Sequence, residues 1–123
     1  MTYAHWRDVT ATDWRWPHFT PQEIACRGDG SLMVVPAFLN LLETLREKLG
    51  PLHVNCAYRS ALHNARVGGA PLSQHKFGTA ADIAIGAIDK ADLIAAAVAV
   101  GFTGLGVNYQ TFVHIDTGPR RQW

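Results

Sequence analysis

A carboxylate stands in the middle of an apolar run, Ala80-Ala81-Asp82-Ile83-Ala84-Ile85, and that placement limits what the chain can be. The run reads as a buried strand. A charged side chain inside such a strand is costly unless it is paired or bound to a cation. A second segment, Phe112-Val113-His114-Ile115-Asp116, has the same character. Strand alternation puts Val113 and Ile115 on one face, and His114 and Asp116 on the other. Polar groups that leave apolar strands toward a common face point to a site. His75 lies in the loop Ser73-Gln74-His75-Lys76-Phe77-Gly78, where Gly78 lets the backbone turn. A catalytic zinc takes three nitrogen or oxygen ligands from protein and keeps a fourth position for water. His75, Asp82 and His114 meet that count. Non-haem iron accepts the same set, so the ligands alone do not name the metal.

The frame around these residues is short. A chain of 123 residues corresponds to one domain, here expected over 1–123, with residues 1–19 as an aromatic-rich arm packed on the body. Thr20-Pro21-Gln22-Glu23 carries a capping box and a proline at the first helical position. Gly28, Asp29 and Gly30 are expected to break that helix. The spacing of Phe38, Leu41, Leu42, Leu45 and Leu49 predicts a helix over 36–49, with Glu43, Arg46, Glu47 and Lys48 on its wet side. A weak strand is expected over 52–57, then a long loop over 58–79 with one helical turn near 61–65. Asp89 caps a helix that Gly101 ends. A hairpin over 105–115 turns near Gln110. Helices come first and strands gather late, which predicts an α+β fold with a small antiparallel sheet flanked by helices.

Several classes are excluded. Charged residues make up 17% and the net charge is +1, with no run of Lys or Arg beyond Arg120-Arg121. No nucleic-acid partner is therefore expected. The most apolar stretch, Leu93 to Val100, is too short to span a bilayer. The opening residues show no secretory signal. The chain is expected to be made in the cytoplasm and to reach any external substrate by another route. Cys26 and Cys56 form no CxxC pair, and they read as two small buried residues; a bridge between them cannot be read from spacing.

Ser73-Gln74-His75 with Gly78 and Asp82 resembles the SxHxxGxAxD signature of the zinc D-Ala-D-Ala carboxypeptidases, whose relatives include murein endopeptidases and phage endolysins. Phe112-Val113-His114-Ile115-Asp116-Thr117-Gly118, followed by Arg121 and Trp123, is similar to the same family. So are Ala57-Tyr58-Arg59-Ser60 with Asn64, Val67-Gly68-Gly69-Ala70, and the opening from Phe19 to Cys26. Four segments in register carry the resemblance along nearly the whole chain. It implies a Hedgehog-like α+β fold and one zinc on His75, Asp82 and His114. It implies that Arg59 faces the substrate, as an oxyanion stabiliser or a carboxylate holder. Ser73 and Gln74 then orient the substrate or His75, while Gly68 and Gly69 serve the turn. The implied reaction is hydrolysis of a peptidoglycan peptide at a D-centre, by a monomer acting on the cell wall or as a phage or prophage product. A terminal D-Ala and an internal crosslink both remain open as the bond cut.

One element of the family pattern is missing. Many relatives place an acidic general base three residues before the last His; here that residue is Thr111. Asp116 is the first substitute, with the orientation of His114 as its competing role. His63 is a further candidate base. His5, His18 and His53 read as structural or surface residues. Two rivals follow: a zinc-containing binding module of the same fold without activity, and a non-haem iron enzyme using His114-x-Asp116.

Overall fold

The computed structural model describes residues 1–123. Strand β1 (Thr2–Tyr3) pairs antiparallel with β2 (Leu32–Met33), so the arm opens on a short strand and is not wholly irregular. Its aromatic rings then turn inward. Trp16 and Phe19 are only 2% and 3% exposed. The Trp14 indole N–H donates to the carbonyls of Trp16 and Phe19, and that of Trp16 donates to Asn40 Oδ1 at 2.9 Å. Polar ring atoms thus find partners while the rings fill the core.

Helix α1 (Pro21–Ile24) starts at the capping box: Thr20 Oγ1 accepts from Glu23 N, and Glu23 Oε1 accepts from Thr20 N. It stops at Ile24, ahead of the residues read as its breakers, because Ala25 is already extended. Helix α2 (Pro36–Leu49) has the bounds its spacing predicts, with Phe38, Leu42 and Leu45 buried. Glu43 departs from the expected wet side. It is buried, accepts from His18 N at 3.0 Å and pairs with His18 Nδ1 at 2.5 Å. A buried carboxylate needs such a partner. The arm supplies it, and no helical periodicity could reveal that.

Strands β3 (Val54–Cys56), β4 (Ala80–Ala84), β5 (Gly104–Gly106), β6 (Phe112–Asp116) and β7 (Arg121–Gln122) form one sheet in the order β3-β4-β6-β5-β7. Helix α3 (Ala61–Arg66) and a 3-10 turn (Gln74–Phe77) interrupt the long loop between β3 and β4. Helix α4 (Lys90–Val100), capped by Asp89, joins β4 to β5. Neighbouring strands run antiparallel except β5 and β7, which are parallel, so the expected antiparallel sheet carries one parallel edge. No helix is long and apolar enough to cross a membrane.

Register matters most here. Asp82 on β4 lies opposite His114 on β6, Cys56 on β3 lies opposite Asp82, and Gly106 on β5 lies opposite His114. One row across the sheet therefore reads Cys56, Asp82, His114, Gly106. The flanking positions Ile83, Val113 and Ile115 join Leu42 and Leu45 of α2 and Leu93 and Ala97 of α4 in the core. Phe38 and Phe102 meet edge to face with centroids 5.9 Å apart. Alternation leaves Asp82 and His114 on the opposite face.

Because Trp16 belongs to this core, Trp16→Ala is expected to cost about 3–5 kcal/mol of stability. Urea unfolding followed by fluorescence checks it; a loss below about 1 kcal/mol would show that the arm is only loosely attached.

Candidate active site

The register of β4 on β6 sets His114 Nδ1 at 2.9 Å from Asp82 Oδ1. His75 arrives from the 3-10 turn. Ser73 caps that turn, its Oγ accepting from His75 N at 3.3 Å, and Gly78 closes it in the left-handed region at φ 70°. The result places His75 Nε2 at 3.2 Å from the same Asp82 oxygen. Three residues singled out in the sequence thus converge, from two strands and one loop.

Each imidazole is held from behind. His75 Nδ1–H donates to the Ala57 carbonyl at 2.6 Å. His114 Nε2 sits 2.7 Å from Asp116 Oδ2. These bonds fix which nitrogen of each ring faces Asp82. Asp116 is fully buried, and Arg121 grips it with two bonds of 3.0 and 2.8 Å while Gly118 N donates a third at 3.0 Å. This is the bidentate geometry that fixes a carboxylate most firmly.

Burial opposes every charge in the cluster, and the mutual hydrogen bonds outweigh it. His75 is raised to about 9, because bonds to Asp82 and Cys56 overcome desolvation. Desolvation also works against charge on His114, yet bonds to Asp116 and Asp82 raise it. Asp82 is lowered to about 2 by His114 and His75 against its own burial. Asp116 is likewise lowered to about 2, by His114, Arg121 and the Gly118 amide, against desolvation. In the metal-free protein these bonds favour protonated imidazoles, so a cation binding there has to displace their protons.

Two of the three donor separations fit a single tetrahedral ion. Ligand atoms around zinc stand about 3.4 Å apart, given bonds of about 2.1 Å. The 3.2 and 2.9 Å separations here lie near that value. A carbonyl and a carboxylate behind the two rings complete the usual support of ligating imidazoles. A thiol stands nearby as a rival donor: Cys56, His75 and Asp82 offer donor atoms all within 4.8 Å of one another. Cys56 Sγ, however, lies 3.8 Å from His75 Nδ1, the nitrogen that the Ala57 carbonyl occupies. A metal on the Asp82 side of the ring uses Nε2, whereas the thiol's contact is with Nδ1. Both cysteines are free: Cys26 is buried and Cys56 only partly so, which the reading as two buried residues did not anticipate. No strand pattern would have placed Cys56 beside His75, since their contact depends on how the loop returns.

The cluster forms the floor of a cleft of about 420 Å³ that Arg59, Ser73 and Gln74 also line. Gln74 Oε1 accepts from Thr79 Oγ1 at 2.7 Å, which ties the turn to the start of β4. The Arg59 guanidinium makes no ion pair; every ion pair in the molecule belongs to a histidine or to Arg121. The opposite wall is aromatic. Tyr109 stacks on Phe112 at 4.4 Å, and the Trp123 indole N–H donates to Tyr109 Oη at 2.9 Å. Tyr109 and Phe112 read only as hairpin residues in sequence, because aromatic strand residues carry no mark separating wall from core.

Asp82 is the one carboxylate lining the cleft. Thr111 and Asp116 contribute nothing to its surface, and His63 packs over Gly28 instead. Asp116 does share the strand face of His114, but it meets the ring nitrogen that points away from Asp82. The pair His114-x-Asp116 therefore does not offer two ligands to one ion, and the iron-enzyme alternative loses its distinguishing feature.

Two imidazoles and a carboxylate on the floor of an open cleft, with a polar shell behind them, form the arrangement of a metallopeptidase. A family model for peptidase M15 matches residues 17–116, and the chain belongs to that family. A zinc D-Ala-D-Ala carboxypeptidase of Streptomyces albus G is 38% identical over 88 residues, covering 67% of this chain and 34% of the relative. The match thus spans about a third of that curated protein's length.

Proposed function

We propose that the chain is a zinc-dependent peptidase that hydrolyses D-amino-acid-containing peptides of peptidoglycan, with His75, Asp82 and His114 as its metal ligands. The observation that carries this reading is the convergence of His75 Nε2 and His114 Nδ1 on one oxygen of Asp82, at 3.2 and 2.9 Å. Family membership and the likeness to the zinc D-Ala-D-Ala carboxypeptidase of Streptomyces albus G support the metal and the substrate class.

Zinc held by His75, Asp82 and His114 would supply Lewis acidity for hydrolysis of an amide. The chain's own residues do the rest. Arg59, with no carboxylate of its own, holds a substrate carboxylate beside the scissile bond. Ser73 keeps His75 in place through its amide, and Gln74 braces the turn. Asp116 holds the proton-bearing Nε2 of His114, so that Nδ1 presents its lone pair. It is a positioning residue here, because its oxygens are enclosed and committed to Arg121, His114 and Gly118.

The test is an assay of the protein with one equivalent of zinc, and again after chelation, on peptidoglycan fragments, with products read by mass spectrometry. Chelator-sensitive release of D-alanine, or cleavage beside a D-centre, is expected. Tight zinc binding with no fragment cut would contradict the enzyme and favour a binding module, in line with the lack of a second carboxylate in the cleft.

Asp116→Asn separates positioning from base catalysis. It is expected to weaken zinc binding about 10- to 100-fold, measured by competition with a chromophoric chelator. Turnover should then return at saturating zinc. Unchanged zinc affinity with abolished turnover would make Asp116 the base.

A further inference from the structure

Arg59 is useful to a substrate anion only if something holds its guanidinium toward the cleft without neutralising it. No carboxylate does so. The closer acceptor is the side-chain amide of Asn64, whose Oδ1 takes a hydrogen bond from Arg59 Nη1 at 2.9 Å, while Arg59 Nη2 reaches Cys56 Sγ at 3.5 Å. Asn64 sits on α3 and is only 3% exposed. Its Nδ2 donates to the Ala70 carbonyl at 2.9 Å, and its own carbonyl accepts from Gly69 N at 2.8 Å. The amide cannot be reversed, since a guanidinium only donates and a carbonyl only accepts. Asn64 therefore joins Arg59 to the turn after α3, whose Ala70 and Leu72 line the cleft.

Gly69 completes the junction. Its φ is not positive, unlike that of Gly68 at 71°, so turn conformation does not account for it. A Cβ there would run into Asn64 Oδ1 and Arg59 Nη1. The turn backbone lies flat against the amide–guanidinium pair, which leaves no room for a side chain. The sequence reading that gave both glycines to the turn is thus corrected for Gly69.

We infer that Asn64, with Gly69 packed against it, is the positioning residue that holds Arg59 as an uncompensated cation for a substrate carboxylate. The inference rests on the proposed role of Arg59. An aspartate at 64 would accept the same bond but cancel the charge, and it would face the Ala70 carbonyl with no donor. An alanine would leave the guanidinium only its longer contact to Cys56 Sγ.

The experiment uses zinc-loaded protein and a matched pair of D-Ala-terminated peptides, one with a free C-terminal carboxylate and one amidated. Asn64→Asp is expected to raise KM for the acid peptide about ten- to a hundredfold, with kcat little changed, zinc content intact and the amidated peptide unaffected. On an Arg59→Ala background, Asn64→Asp is expected to add nothing, because both changes remove the same contact. Should Asn64→Asp fail to fold, Gly69→Ala displaces the same pair from the turn side and is expected to give the same KM-only loss. If Arg59→Ala raises KM for the acid peptide but Asn64→Asp and Gly69→Ala do not, the inference fails while the role of Arg59 stands. Additive losses in the double variant would also overturn it. If Arg59→Ala leaves that KM unchanged, the proposed role of Arg59 fails and the inference falls with it.

Discussion

Asp82 is the constraint on which the rest depends. A carboxylate on an inner strand of the sheet is tolerated only because partners meet it on both sides: His114 across the strand pair and His75 from the loop above. A one-residue slip of β4 against β6 would turn Asp82 into the core and Ile83 out of it. The apolar positions Ile83, Val113 and Ile115 thus fix the register, and the register places two of the three residues proposed as ligands. Hydrophobic burial on one face of the sheet positions the chemistry on the other.

Support then extends outward in layers. Asp116 stands behind His114, and Arg121 stands behind Asp116. Arg121 lies on β7, the parallel edge strand, and its guanidinium also stacks on the Trp123 ring at 4.8 Å. The C-terminal residues are therefore tied to the aromatic wall and to the second imidazole at once. On the other side, Arg59 N donates to the His75 carbonyl, which ties the Arg59 segment to the turn that carries His75. The cleft is assembled from short segments, each braced by a polar contact to a neighbour.

Much of this was legible in the sequence, for physical reasons that can be named. The α2 bounds follow from apolar spacing between a proline and a glycine. The α1 start follows from the capping box, and the shared face of His114 and Asp116 from strand alternation. Asp82 and His114 were visible because polar groups in apolar strands demand an explanation, and His75 because it stands in the Gly78-closed loop just ahead of them. Features set by how distant segments return to one another were not legible. The burial of Glu43 depends on His18 twenty-five residues away. The parallel edge of β7, the place of Cys56 beside His75 and the role of Gly69 against Asn64 depend on tertiary approach. Local pattern is silent on all of these. The role of Asp116 was open for the same reason, since two residues on one face may meet either side of a ring.

The central claim is that the metal is held by two imidazoles and one carboxylate, with Cys56 outside the ligand set. X-ray absorption at the zinc edge of the loaded protein tests it most directly. A shell of nitrogen and oxygen neighbours at about 2.0–2.2 Å, with no sulfur, is the predicted result. A sulfur neighbour at about 2.3 Å would put the Cys56 thiolate on the metal and contradict the assignment of His75, Asp82 and His114 as the complete protein ligand set.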